Sequence, residues 1–291
     1  MTDIRTVGIV GAGQMGVGIA HVVAMSGRDV RLVDTDDAKT QRAFDALERS
    51  LDRHVAKGGL NSDDRQAVRA RVSAGNLAAV GACDLVIEAA TEDEAIKKAV
   101  YRDLAPHLAS HTLLASNTSS ISITRLASVT DRPERFVGMH FMKPAPVMQL
   151  VEIVRGIATS QETYDRAAAF ARSLGKTTTD AEDFPAFIVN RVLVPMINEA
   201  IYTLYEGVGT VTSIDTALKL GANHPMGPLE LADFMGLDVV LAIMNMLYDG
   251  LADSKYRPCP LLVKYVEAGW LGKKSGRGFY DYSGDTPVPT R

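Results

Sequence analysis

Two polar stretches interrupt an otherwise apolar first half, and both carry side chains that can move protons. One is Ala115-Ser116-Asn117-Thr118-Ser119-Ser120, directly after an apolar run. The other is Gly138-Met139-His140-Phe141-Met142, with Glu152 twelve residues further on. A carboxylate beside an imidazole fixes its tautomer and stabilises its charged form, which is what a general base for an alcohol requires. His140 ends one strand candidate and Glu152 lies in the next. A reversal near residues 143–148, with two prolines, brings them side by side. Read alone, His140 is equally a strand-end histidine of no special role.

A third stretch points to a ligand. Gly11-Ala12-Gly13-Gln14-Met15-Gly16 follows an apolar strand candidate and opens a helical one. In that setting the first glycine permits a tight turn, the second lets backbone approach a pyrophosphate, and the third lets helix and sheet pack closely. The helix N-terminus offers free N–H groups and the positive end of its dipole. Asp34 ends the following strand at the spacing of an acid that binds a ribose 2′-hydroxyl, and no arginine follows it in Asp34-Thr35-Asp36-Asp37. A carboxylate there repels a 2′-phosphate, so NAD is expected rather than NADP.

The elements that position these groups are legible as alternation. Strand candidates at Thr6–Val10, Val30–Val33, Leu85–Ala89, Leu113–Ala115, Phe136–Met139 and Leu150–Val154 are near-continuous apolar runs separated by helical segments such as Gln14–Met25 and Asp37–Lys57. That pattern predicts an α/β fold, a Rossmann-type doubly wound, mostly parallel sheet covered on both faces. Beyond residue 183 strand-like runs stop and helices are expected at Phe187–Tyr205, Val211–Lys219, Pro228–Tyr248 and Pro260–Ala268. The first would be capped by Asp183 and kinked at Pro195. The expectation is a dinucleotide-binding domain over 1–183 and a second, all-helical domain over 184–291, ending in a loose tail at Thr286–Arg291.

The chain of 291 residues suits two domains, with 46% apolar and 23% charged residues. A net charge of −4 with no dominant basic face argues against nucleic acid. Nothing reads as a membrane span or signal peptide. Two cysteines, Cys83 and Cys259, fit no metal or redox spacing. No metal is expected, and a reducing, cytoplasmic setting is.

Together these segments resemble the 3-hydroxyacyl-CoA dehydrogenase family, especially its bacterial 3-hydroxybutyryl-CoA members. The resemblance runs nearly end to end, through residues 10–16, 88–92, 115–120, 147–154, 187–191, 222–233 and 272–280. It implies that His140 is the general base for the 3-hydroxyl, with Glu152 its partner. Ser119 resembles the serine that bonds the substrate oxygen, and Asn190 the asparagine that completes the polar cluster. Glu92 and Lys97 look like residues contacting the cofactor riboses, and Lys274 like a base reaching the cofactor from the C-terminal domain. Ser50 and Lys57 match contacts to coenzyme A. The residues agree in kind: Ser50, Arg53, His54 and Lys57 fall on one helix face and make a cationic strip suited to phosphates, although a solvated face would read the same. The family implies an acyl-CoA substrate of fatty-acid metabolism bound between the domains, and a homodimer through the helical domain.

The family's usual His-Phe-Phe-Asn-Pro stands here as His140-Phe141-Met142-Lys143-Pro144. That asparagine normally helps hold the nicotinamide end of NAD. Lys143 has no acceptor; pointed inward it opposes imidazolium at His140, and pointed outward it leaves one cofactor contact missing. Pro185-Ala186 and Glu92-Asp93 are lesser departures. Two other readings stay open: a dehydrogenase of a 3-hydroxy acid without CoA, and a cofactor-binding protein whose catalysis Lys143 weakens.

Overall fold

The computed structural model describes residues 4–291. The chain forms two compact units, residues 1–187 and 188–291. In the first, strands and helices alternate: β1 (Thr6–Val10), α1 (Gln14–Met25), β2 (Asp29–Val33), α2 (Asp37–Ala56), α3 (Ser62–Ala70), β3 (Val72–Ala74), α4 (Leu77–Gly81), β4 (Leu85–Glu88), α5 (Glu94–Leu104), β5 (Leu113–Ser116), α6 (Ile123–Ala127), β6 (Phe136–Phe141), β7 (Leu150–Arg155), α7 (Gln161–Ser173) and β8 (Thr177–Glu182). The sheet order is β3-β2-β1-β4-β5-β6-β7-β8. Strands β1 to β6 are mutually parallel, β7 runs antiparallel to β6, and β8 is parallel to β7.

The apolar runs are continuous because both faces are covered. Leu85 and Ile87 enter one buried cluster with residues of α1, α2 and α7, while Val86 enters the other with Tyr101 of α5 and Ile123 of α6. Leu113 and Ala115 against Leu114 repeat that division, as do Val137 and Met139 against Phe136. This is the doubly wound, mostly parallel sheet read from the sequence. Strand order reverses at β1, so the carboxyl ends of β1 and β4 frame the crevice where such sheets bind ligands.

Several expectations need correction. Strand β8 (Thr-Thr-Thr-Asp-Ala-Glu) carries no apolar run. It forms at the sheet's edge, where only β7 pairs with it and little of it needs burial. Asp183 does not cap the first helix of the second unit. Its carboxylate accepts from Ser122 Oγ at 2.7 Å, Ile123 N at 2.9 Å and Thr124 N at 2.8 Å, so it holds the start of α6. Ala186 and Phe187 follow with positive φ, and Phe187 is buried with the first unit's core. By packing, the units divide between Phe187 and Ile188.

The second unit contains α8 (Val189–Tyr205), α9 (Val211–Gly221), α10 (Pro228–Met235), α11 (Leu237–Leu251), α12 (Pro260–Glu267) and a small hairpin of β9 (Tyr280–Asp281) and β10 (Val288–Pro289). Helix α8 runs on through Pro195. The single helix expected over Pro228–Tyr248 is two, bent by 97°, because Gly236 adopts φ 100° between them. The tail is not loose: β10 pairs antiparallel with β9. Buried carboxylates tie this hairpin down. Asp233 accepts from Phe279 N at 3.0 Å and Tyr280 N at 2.8 Å, and Asp215 accepts from Tyr280 Oη at 2.7 Å. Cys83 and Cys259 are free and buried.

Candidate active site

The glycine loop between β1 and α1 is shaped for a ligand in contact with its backbone. Gly11 has φ 106°, and a Cβ on it would lie 2.6 Å from the carbonyl of Ala89. A Cβ on Gly16 would overlap the carbonyl oxygen of Gly11, so α1 can seat against β1 only with glycine there. Gly13 differs: a Cβ there would meet nothing within 4 Å. Packing does not explain that glycine, whereas backbone contact with a pyrophosphate does. Gly13 is also the residue before the first turn of α1 and makes no side-chain cap, which suits phosphate binding by that turn's N–H groups.

Asp34 lies just past β2. One oxygen accepts from Ala12 N at 2.7 Å and steadies the loop; the other accepts from Thr35 N at 2.7 Å and Thr35 Oγ1 at 3.1 Å. Burial pushes its carboxyl up, but these hydrogen bonds and Lys39, 3.6 Å away, outweigh it and hold the group below the usual carboxylate value. It is a carboxylate at neutral pH, able only to accept, as ribose hydroxyls require.

Glu92 gathers the loop after β5. Its Oε1 accepts from Thr118 Oγ1 at 2.6 Å, Ser119 N at 2.8 Å, Ser120 Oγ at 2.8 Å and Ser119 Oγ at 3.2 Å. Partial burial pushes this carboxyl up; Lys97 and the hydroxyl donors outweigh it, so the net shift is downward. Of the four bonds, that of Ser119 Oγ is the longest, which leaves this hydroxyl the freest to turn toward another oxygen.

Lys97 is drawn inward by two acids. It is 1% exposed, and its Nζ serves Glu88 Oε1 at 2.7 Å, the Ala90 carbonyl at 3.3 Å and Glu92 Oε2 at 3.4 Å. Its three donors face protein acceptors, and its pairing with Glu92 helps to position that carboxylate. Sequence reading passed over Glu88, which is wholly buried and also accepts from Ser116 Oγ at 2.7 Å and Ala90 N at 2.7 Å. The available signal was an acid closing the apolar run Leu85–Glu88.

The β6–β7 hairpin places His140 directly opposite Glu152. His140 Nδ1 lies 2.7 Å from Glu152 Oε2, with the two residues 7% and 0% exposed. A carboxylate can only accept, so Nδ1 carries the hydrogen and Nε2 presents its lone pair. The Phe187 ring packs against the imidazole with centroids 5.9 Å apart. Asn117 Oδ1 accepts from Phe141 N at 2.9 Å and pins the serine loop to the end of β6. Because β1 and β6 run in the same direction, this pair and the glycine loop share the sheet's carboxyl edge. Lys143, in the turn after β6, is exposed.

Ser50, Arg53, His54 and Lys57 line one cavity of about 790 Å³ together with Gly13 of the glycine loop and Asp34 just past β2. The cationic strip and the glycine loop are thus walls of a single space. Lys57 stands just beyond the last turn of α2 as its C-cap. In the second unit, Asn190 is half-buried in the first turn of α8. Lys274 does not extend as a free base: its Nζ pairs with Asp238 Oδ1 at 2.5 Å, and the side chain is 46% exposed.

A glycine loop of this kind with a buried histidine–glutamate pair on the same sheet edge suits a pyridine-nucleotide oxidoreductase. Residues 6–184 match the family model described as 3-hydroxyacyl-CoA dehydrogenase, NAD binding domain, and residues 187–282 match that of the C-terminal domain. The chain therefore belongs to the 3-hydroxyacyl-CoA dehydrogenase family, and its cofactor is NAD. It is similar to a 3-hydroxybutyryl-CoA dehydrogenase of Bradyrhizobium diazoefficiens, 58% identical over 99% of both chains. A probable 3-hydroxybutyryl-CoA dehydrogenase of Bacillus subtilis is 52% identical over 98% of this chain and 99% of its own. Among solved structures, the (S)-3-hydroxybutyryl-CoA dehydrogenase of Ralstonia eutropha superposes with a TM-score of 0.95 at 48% identity, covering 97% of this chain and all of that one.

Proposed function

We propose that the protein oxidises a short-chain (S)-3-hydroxyacyl-CoA to the 3-oxoacyl-CoA, and catalyses the reverse, with His140 as general base. The observation that carries this reading is the buried 2.7 Å pair of His140 and Glu152 at matched register. Nε2 of His140 takes the proton of the 3-hydroxyl while Nδ1 keeps its hydrogen on Glu152. The carboxylate stabilises the imidazolium that forms. Bound NAD supplies the acceptor for the hydride leaving C3. In the reverse direction the imidazolium returns its proton to the 3-oxo oxygen. Ser119 Oγ swings from its long bond with Glu92 to the substrate oxygen. The resemblance implies a further polar contact with the substrate from Asn190. Gly11 to Gly16 and Asp34 hold the dinucleotide, and Glu92, supported by Lys97, keeps the serine loop in place against it.

Ser50 and Lys57 bind the coenzyme A moiety. The cavity they share with Gly13 supports this, since it lets a thioester approach from the cationic strip. Lys57→Ala raises KM for acetoacetyl-CoA by roughly 3–10-fold, the scale of one charge-assisted contact of about 1 kcal/mol, and leaves kcat little changed. An unchanged KM would favour a 3-hydroxy acid without CoA. Because Lys143 is exposed, Lys143→Asn changes kcat by less than about threefold, within the range of surface substitutions; a large rise would show that this lysine impairs catalysis. Self-association through the second unit is supported by apolar side chains left at its surface, with Leu220 82% and Phe234 65% exposed. The test of the reaction itself is oxidation of the separate 3-hydroxybutyryl-CoA enantiomers with NAD. NADH forms from the (S) form; formation only from the (R) form, or from neither, overturns the proposal.

A further inference from the structure

His21 of α1 has no part in the chemistry above, yet it is 1% exposed and joined to the cationic strip at both ring nitrogens. Its Nδ1 lies 2.8 Å from Ser50 Oγ, and its Nε2 lies 3.0 Å from His54 Nδ1. The two rings stack with centroids 5.2 Å apart. His54 in turn lies against Gly59, where any Cβ would strike its ring. Ser50, His21 and His54 are therefore one hydrogen-bonded chain with a fixed geometry. All three line the cavity that runs to the dinucleotide loop.

We propose that His54, acting through His21, sets the hydrogen-bonding polarity of Ser50 and couples proton uptake to binding of an anionic acceptor such as a coenzyme A phosphate. This rests on the reading that coenzyme A occupies this cavity. Neutral imidazole has one N–H, so the chain has two directions. Burial, together with His54, Arg53 and Lys176 nearby, pushes His21 down to about 4, and it stays neutral near pH 7. When His54 is neutral, His21 can donate from Nε2 to His54, and Ser50 then spends its hydroxyl hydrogen on His21 Nδ1. When His54 is protonated, its Nδ1 must donate to His21 Nε2. His21 then donates from Nδ1 to Ser50 Oγ, and the serine hydrogen is released toward the cavity. One proton thus adds a cation to the strip and turns Ser50 into a donor.

The surroundings give the coupling its sign. His54 shares its cavities with Arg53 on its own helix, Lys57 just beyond it, Lys176 ahead of β8 and His21 of α1, and the cavity also holds Lys39, Arg42 and the single acid Asp34. Asp52 and Glu48 of α2 are engaged with Arg65, and Glu48 also with Arg69. An anion that enters among these cations favours a positive charge on the imidazole beside it. Anion binding therefore draws a proton, and by linkage lower pH tightens binding.

Calorimetry of coenzyme A binding in buffers of different ionisation enthalpy reads the proton directly, alongside KM for acetoacetyl-CoA from pH 6 to 8. The wild-type protein takes up a proton on binding, and KM falls roughly fivefold or more from pH 8 to pH 6, the low end of ordinary two-ligand coupling. In His54→Asn, whose amide still donates to His21 but cannot be protonated, uptake is lost and KM is flat while the pH profile of kcat keeps its shape. No uptake by the wild type, or the same uptake in the variant, overturns the relay. Lys57→Ala separates the two failures. If it still raises KM, coenzyme A is placed correctly and only the relay falls; if it does not, the placement falls as well.

Discussion

Replacing His140 with asparagine lowers kcat for acetoacetyl-CoA reduction by roughly 10²–10⁴-fold, the range contributed by a positioned general acid–base group, while NADH binding persists. Persistence is expected because the nearest supports of the glycine loop, Asp34 on Ala12 N and the Ala89 backbone behind Gly11, lie outside the hairpin that carries His140. Glu152→Gln is nearly isosteric and tests the partner. Its amide can donate to Nδ1, which favours the tautomer with hydrogen on Nε2, the wrong nitrogen for a base. The amide also leaves the imidazolium without its counter-charge. The loss is on the order of 10²-fold or more, the lower bound for losing base catalysis. Because the two side chains act as a unit, the double variant is little worse than His140→Asn alone. Multiplying losses would mean that Glu152 works on something other than His140.

Gly13→Ala and Gly16→Ala are expected to fail in opposite ways, although both glycines belong to one motif. At Gly16 the new methyl overlaps a backbone oxygen, which cannot rotate aside as a side chain would. Helix α1 must move off β1, at a cost of about 1–3 kcal/mol or more, and Tm falls. At Gly13 the methyl meets nothing in the protein, so Tm is unchanged. It enters the space proposed for the pyrophosphate, and the NADH dissociation constant rises at least ~10-fold, equivalent to about 1.4 kcal/mol. Thermal unfolding and NADH titration of both variants check the pair. A Gly13→Ala protein that binds NADH normally would move the dinucleotide away from this loop.

These contrasts show where sequence is informative. The roles of the glycines are local: strand, turn and helix follow one another, and backbone geometry demands the residue type. The parallel strands are legible for a similar reason, since burial on both faces leaves unbroken apolar runs such as Leu85–Glu88 up to its closing acid. Strand β8 is invisible because an edge strand needs partners more than apolar side chains. Asp183 sits where a helix cap would, yet α6, 60 residues earlier in sequence, holds its carboxylate. The long apolar stretch after Pro228 reads as one helix; a single positive φ at Gly236 divides it.

The candidate site divides in the same manner. His140 and Glu152 are recoverable because a hairpin is a short-range structure. The support of Glu92 by buried Lys97 and Glu88, and the chain from Ser50 through His21 to His54, join residues whose spacing carries no signal. The resemblance makes Lys274 a base that reaches the cofactor, and nothing in its spacing signals the pairing with Asp238. Such pairs depend on tertiary packing, and only coordinates reveal them.

The central claim is that this chain transfers hydride between NAD and a 3-hydroxyacyl thioester. The most direct measurement follows NADH absorbance on mixing the purified protein with acetoacetyl-CoA, with NADPH and free acetoacetate run in parallel. Rapid loss is predicted for NADH with the thioester alone. No loss under conditions where NADH binding is detected, or equal rates with free acetoacetate, would contradict it.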